Sequence, residues 1–210
     1  MKIVQKLEPS RHVRGRFLVW FEGESEPLKV TENEVVAFAL SQGRTLEEEE
    51  LSRLKEAGGL SSAKARGARM LGERPLSRRE LTRRLVEKGE TPEHAQAAAD
   101  WLEELGALNE LEYARSIVRH YTARGYGAQK LRQEFQRRGV SRELWDQALE
   151  EQSDPVDRVV SFLEKKLRGQ TQDPKLLKRA TDALLRRGFR WEEIRAGLSR
   201  YGAEIEEESL

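Results

Sequence analysis

Apolar positions along the chain follow two regimes. Up to about residue 30 they come as short β-rich runs, Ile3 and Val4, then Phe17 to Phe21, then Leu28 to Val30. Pro9, Ser10, Gly15 and the segment Glu22 to Pro27 separate these runs as turns separate strands, which predicts a small antiparallel sheet or hairpin. Thr31 with Glu34 has the spacing of a capping box ahead of Val35, Val36, Phe38, Ala39 and Leu40, with Gly43 as a C-terminal stop. Thr45 with Glu48 repeats the signal before Leu51 and Leu54. Two helices are therefore expected after the sheet, the second ending at Gly58 and Gly59, where the main domain boundary is placed.

From Ala63 onward the apolar spacing is helical, and the sequence repeats itself. Leu81, Leu85, Lys88 and Gly89 recur as Leu131, Phe135, Arg138 and Gly139, and again as Ala180, Leu184, Arg187 and Gly188. Each copy ends a helix at glycine. A further helix follows each glycine, through Ala95, Ala98 and Leu102, through Trp145, Ala148 and Leu149, and through Ile194 and Leu198. One also precedes each copy, with Ala65, Ala68 and Leu71 in the first, Tyr113, Ala114, Ile117, Val118 and Tyr121 in the second, and Val156, Val159, Val160 and Leu163 in the third. Ser77 with Glu80, Thr91 before Pro92, Ser141, Asp154 before Pro155 and Asp173 before Pro174 mark five helix starts.

These patterns predict a mainly α chain, α+β overall: tandem three-helix repeats forming an elongated curved array behind a small N-terminal antiparallel sheet with helices. The expected divisions are residues 1–60 for the sheet and two-helix extension, 61–110, 111–152 and 153–203 for the repeats, and 204–210 for an acidic tail.

Composition narrows the chemistry. The 210 residues contain no Cys and three well-separated His, so thiolate sites, disulfides and His-based metal spacing are not expected. Apolar runs are far shorter than the ~20 residues of a membrane span, and the N-terminus lacks a signal-peptide layout, which predicts a cytoplasmic protein. Phosphate loop, HExxH, GxSxG and GxGxxG motifs are not found, and acid pairs such as Glu103 with Glu104 have no catalytic partner; neither an enzyme nor a bound cofactor is expected.

The net charge of +1 conceals segregation. Residues 64–88 hold nine Lys or Arg against three acids, 89–112 seven acids and no base, 113–142 eight bases against Glu134 alone, and 157–190 ten bases against four acids. Such blocks steer acidic partners or phosphate, although solvated helix faces often look alike. On the helix of Leu81 and Leu85, Glu80 and Glu87 share one flank. Lys130 and Arg137 replace them in the second repeat and Arg179 and Arg186 in the third, a row of cations. These four, with Arg124, Arg132, Arg79 and Arg83, are the candidate partner- or phosphate-binding residues, Arg79 and Arg83 pointing away from the Leu face. Lys88, Arg138 and Arg187 suit the negative end of a helix dipole instead. Trp101, Trp145 and Trp191 are expected to pack in cores; Tyr121 and Tyr126, near Arg119 and Arg124, either pack or stack on bases.

In combination these residues resemble the RecX family, regulators of the recombinase RecA. Ser77, Arg78, Glu80 and Leu81 with Leu85, Lys88 and Gly89 are similar to its first-unit signature. Leu105, Gly106, Ala107 and Leu108 leading into Tyr113 and Ala114 resemble its inter-unit segment, and Gly125, Tyr126, Gly127, Leu131, Glu134, Phe135, Arg138, Gly139 and Val140 its most recognisable stretch. Each motif alone is weak, whereas their order and spacing over about residues 63–200 are specific. Asn109 and Glu110 stand where the family often has Asp. The resemblance implies a nonenzymatic protein that lies in the groove of the RecA nucleoprotein filament and modulates its assembly, ATP hydrolysis and strand exchange; inhibition is the expected direction, and a monomer the expected state. Direct binding to single-stranded DNA through the basic surface is the competing reading, and a purely structural adaptor with solvated charges a third.

Overall fold

Alternation along the first strands places Val4, Val19, Phe21 and Val30 on one buried face, and this face is what the N-terminal helices cover. The computed structural model describes residues 1–169 and 173–202, so the acidic tail expected from Glu204 onward lies outside the described residues. Strands β1 (Lys2–Pro9), β2 (Arg16–Phe21), β3 (Leu28–Thr31) and β4 (Thr45–Leu46) form an antiparallel sheet in the order β3-β2-β1-β4. Helices α1 (Glu32–Ala37) and α2 (Glu48–Glu73) follow, and Leu40, Leu46, Leu51 and Leu54 complete the core under the sheet. The box at α1 forms as expected, the Thr31 amide donating to the Glu34 carboxylate at 2.7 Å, and Ser61 of α2 donates to the other carboxylate oxygen at 2.6 Å.

Three expectations fail here. Thr45 does not cap a helix: it lies in β4 opposite Ile3, and α2 starts after Glu47 with no side-chain cap. Gly58 and Gly59 do not end the helix, because α2 runs unbroken for 26 residues through the expected boundary. The two glycines are close-approach points. A Cβ on Gly58 would lie 3.0 Å from the Lys29 carbonyl oxygen, and one on Gly59 would overlap the His94 imidazole. Helical glycine costs about 1 kcal/mol each, and the packing it permits offsets that. Finally, Ala65 and Ala68 are exposed, whereas Ala63 and Gly67 are buried. Gly67 lets Leu102 come close, at 2.8 Å from where a Cβ would stand.

The C-terminal half of α2 packs with α3 (Arg78–Glu87) and α4 (Pro92–Glu104) around Leu81, Leu85, Ala98 and Leu102. Each fully buried Leu of this kind contributes about 1.5–3 kcal/mol. Ser77 accepts the Glu80 amide and Thr91 the His94 amide, so both predicted starts hold. This closes a compact unit, Met1–Leu108.

The second unit, Asn109–Leu210, contains two further three-helix sets. In the first, α5 (Glu110–Ala123) and α6 (Ala128–Arg138) are followed by a 3-10 turn, Arg142–Leu144, and the short α7 (Trp145–Leu149). Ser141 does not cap it; its hydroxyl donates to Glu110 at 2.8 Å. In the second set, α8 (Pro155–Leu167), α9 (Pro174–Arg186) and α10 (Trp191–Tyr201) surround Val159, Leu163, Leu184, Ile194 and Leu198. Asp154 and Asp173 cap α8 and α9 as predicted. Gly89, Gly139 and Gly188 have φ of 90°, 71° and 83°, the left-handed conformation that stops each middle helix.

Candidate functional site

The middle helices α3, α6 and α9 present equivalent flanks with different charge. Aligned through their buried pairs, α3 carries Glu80, Arg84 and Glu87, α6 carries Lys130, Glu134 and Arg137, and α9 carries Arg179, Ala183 and Arg186. These positions, four and then three residues apart, lie on one side of a helix. The outer two positions of each triplet are the pairs legible in the sequence. The middle one decides whether the outer charges are spoken for.

On α3 the flank is self-neutralised. Glu80 meets Arg84 at 2.6 Å and Arg83 at 2.8 Å, and Arg83 also pairs with Glu87. Burial would raise the Glu80 carboxyl, but hydrogen bonds and charge from Arg83 and Arg84 hold it below its ordinary range. Arg79, on the same helix, is exposed and has no ion pair among the described residues.

On α6 the nearly buried Glu134 collects its neighbours. Arg137 donates to it at 2.6 Å, Arg138 at 3.5 Å, and Lys130 lies 3.8 Å away. Burial pushes this carboxyl up, yet the hydrogen bonds from Arg137 and Tyr121 and the positive charges of Arg137 and Arg138 bring it below the usual carboxylate value. The two cations expected to grip a partner thus share a single carboxylate with Arg138, which offsets one positive charge and leaves the α6 flank cationic. Arg132 is likewise paired, with Asp146 at 2.8 Å.

On α9 the central acid is replaced by Ala183. Arg179 and Arg186 are exposed, about 10 Å apart along the axis, and form no ion pair within 4 Å among the described residues. Lys175, exposed, continues the row one turn earlier. Beside Arg186 stands Leu185, 43% exposed, the equivalent of Val86 on α3, 42% exposed, and of Gln136 on α6. The α9 flank therefore combines uncompensated cations with an apolar side chain. The exposure of a lone apolar side chain leaves no mark in the sequence, because it depends on which face of the helix the fold covers.

The two repeats of the second unit meet end to end. The Gly127 amide at the start of α6 donates to the Arg187 carbonyl at 2.8 Å, and the Gln129 amide donates to the Gly188 carbonyl at 3.1 Å. Unsatisfied amides of one helix start and carbonyls of another helix end thereby satisfy each other. The Arg187 side chain does more than sit in a favourable dipole. Its Nη1 donates to the carbonyl of Arg124 at 3.1 Å and lies close to that of Gly125, while the guanidinium stacks over Tyr126 and Phe162. Arg158 donates to the Tyr126 carbonyl and lies over Phe189. Arg124 thus has its backbone in this joint and its exposed side chain outside any ion pair among the described residues.

The aromatics divide as their positions predict. Trp101, Trp145 and Trp191 each pack against a core, and the Trp145 indole donates to the Val140 carbonyl at 3.0 Å. Tyr121 packs against the α5–α7 core, and its ring lies 5.5 Å from that of Tyr126. Among the described residues no group of three or more His, Asp or Glu could hold a metal, and no helix is long and apolar enough to cross a membrane.

With this geometry in view, comparison with known proteins is decisive. Residues 109–149 match the second three-helix domain of RecX, and residues 152–198 match the third. Regulatory protein RecX of Pseudomonas entomophila (strain L48) is 37% identical over 127 residues, 60% of this chain and 82% of that protein. The chain belongs to the RecX family. Regulatory protein RecX of Chromohalobacter salexigens is 32% identical over 132 residues, 62% of this chain and 87% of that protein. Both relatives are named as regulatory proteins. Two RecX crystal structures share the fold. One, of a regulatory protein RecX, covers 95% of this chain and 100% of its own at TM-score 0.71 and 19% identity. RecX from Lactobacillus salivarius covers 70% of this chain and 98% of its own at TM-score 0.63 and 19% identity.

Proposed function

We propose that this RecX-family chain is a nonenzymatic regulator of RecA that binds the RecA nucleoprotein filament along its helical groove and inhibits filament assembly, ATP hydrolysis and strand exchange. The observation that supports it is the α9 flank, where Arg179 and Arg186 stand uncompensated around the exposed Leu185. Protein interfaces need an apolar centre with a charged rim, and acidic surface on the partner supplies the complement. Inhibition in this reading needs no chemistry by the regulator. Occupying one filament state more tightly than another shifts the equilibrium by the difference in affinity. The protein acts as a cytoplasmic monomer in this reading, without a cofactor.

The test is RecA ATPase on single-stranded DNA with increasing amounts of the purified chain, alongside filament length by electron microscopy. Falling ATPase and shortened filaments are expected. Unchanged ATPase, filament length and strand exchange at saturating protein remove the proposal. Direct nucleic-acid binding through Lys130, Arg137, Arg179 and Arg186 is the second reading; Lys130 and Arg137 support it less than the α9 pair, because they share the carboxylate of Glu134.

A further inference from the structure

The repeats leave untouched a concentration of arginine at the other end of the first unit. Between Pro9 and Phe21 the chain has Arg11, Arg14, Arg16 and His12 and no acid. The loop joining β1 to β2 is preset. The Ser10 amide donates to the Arg16 carbonyl at 2.8 Å, the Arg16 amide to the Val13 carbonyl at 3.3 Å, and the Ser10 hydroxyl oxygen accepts from the amides of His12 and Val13, each at 3.3 Å. Gly15 closes the loop with φ of 75°. Arg11 and Arg14 are exposed on it.

Behind the loop, half-buried Arg16 stands opposite Thr31 in the β2–β3 register, and Glu34 accepts from both the Thr31 amide and Ser61 of α2, which sets Arg16 on the side of the sheet where α2 carries Arg66 and Arg69. Burial, then repulsion from Arg66 and Arg69, lowers the affinity of the Arg16 guanidinium for its proton, while Glu90 opposes this. Glu90 is held by Arg66 at 2.8 Å and by Ser62 at 3.1 Å, and Glu8 is the acid that senses Arg11. Among the described residues Arg11, Arg14, Arg16 and Arg69 make no ion pair within 4 Å. Arginine keeps its charge under these conditions, so the cluster carries repulsion that a bound polyanion relieves.

We propose that the β1–β2 loop with the adjoining Arg16 and Arg69 is a nucleic-acid backbone site, in which guanidinium groups bind phosphodiester oxygens without reading bases. The makeup of the patch favours phosphate over an acidic protein. Among the described residues the exposed large apolar side chains are Met1, Ile3, Val36, Val86, Leu105 and Leu185, and none lies on the loop or on the Ser62–Arg69 stretch of α2. A protein interface lacks its centre there, whereas a charged strand needs none. This surface belongs to the first unit and does not depend on RecA binding through α9.

The experiment is fluorescence anisotropy of a labelled oligothymidylate with the full chain across a salt titration. The R11Q/R14Q variant is expected to bind about tenfold more weakly at low salt. Its slope of log affinity against log salt falls by about 1.4, as removal of two single-strand phosphate contacts requires. R11K/R14K keeps most of the wild-type slope, and K165Q/K166Q, an equal charge loss on α8, changes neither affinity nor slope by more than a fraction of this. Both hairpin variants are solvent-facing and retain the wild-type circular dichroism. An oligonucleotide that fails to bind the wild type, or a slope unaltered in R11Q/R14Q, overturns the proposal. So does polyglutamate competing as well as the oligonucleotide, which assigns the patch to acidic protein instead.

Discussion

The amide of Gly127 donates to the carbonyl of Arg187 at 2.8 Å, joining the start of α6 to the end of α9, two elements far apart in the chain. The approach is backbone to backbone. A Cβ on Gly127 would overlap the Gly188 carbonyl oxygen, and one on Gly188 would overlap the Lys130 amide nitrogen. The Gly-Tyr-Gly motif is thus the socket into which the next repeat's helix end fits.

Gly127→Ala therefore destabilises the second unit although Gly127 itself has φ of −82°, which alanine adopts readily. The cost is steric, about 1–3 kcal/mol, and Gly188→Ala adds left-handed strain of about 1–2 kcal/mol. Urea unfolding of the full chain measures both. Wild-type stability in Gly127→Ala shows that the joint yields without penalty and contradicts this account.

Arg187→Lys is expected to be a poor substitute. Lysine lacks the planar fork that reaches the Arg124 and Gly125 carbonyls while stacking on Tyr126 and Phe162. A loss of about 1–2 kcal/mol, from a charged hydrogen bond partly exposed to solvent, is predicted from the same unfolding curves. A lysine variant as stable as wild type leaves the macrodipole as the residue's whole contribution.

Glu134 sets an acid limit. Its carboxyl titrates below its unfolded value of about 4.3, so its stabilisation is full above that pH and disappears as pH falls through the folded value. Glu134→Gln costs about 1–2 kcal/mol at neutral pH, discounted for the exposure of Arg137. The gap between variant and wild type closes on acidification. A gap that is constant with pH assigns the effect to packing.

Glu134→Ala gives α6 the Lys-Ala-Arg counterpart of the α9 triplet and frees Lys130 and Arg137. Releasing about 0.5–1 kcal/mol of competing interaction should tighten RecA filament binding two- to fivefold, by about that energy. Anisotropy or surface-based binding to preformed filaments reads it; weaker binding by a folded variant places the contact elsewhere.

Arg179→Glu with Arg186→Glu should weaken RecA inhibition about tenfold or more at unchanged helical content, since both side chains are exposed and unpaired among the described residues. Reversing Lys130 and Arg137 adds two acids beside Glu134, so any loss there is accompanied by a lower melting temperature. Equal inhibition by wild type and the α9 variant takes that flank out of the interface.

Repeated Leu, Phe and Ala spacings and the glycine stops determined the three-helix sets in advance, because burial periodicity and left-handed turns are local requirements that each segment states for itself. Thr91, Asp154 and Asp173 announced helix starts for the same reason. Glycine inside α2 read as punctuation because its other use, admitting Lys29 or His94 to close range, depends on residues distant in sequence. The cationic row was legible as positions. That Glu134 offsets one charge among the α6 cations while Ala183 supplies none at the equivalent position of α9 follows from the same helical register, in which the middle position differs in kind from the like charges on either side of it. The joining of α6 to α9 and the gathering of Arg16 with Arg66 and Arg69 were decided by tertiary structure alone, since backbone groups and like charges carry no sequence mark of the partners that folding brings to them.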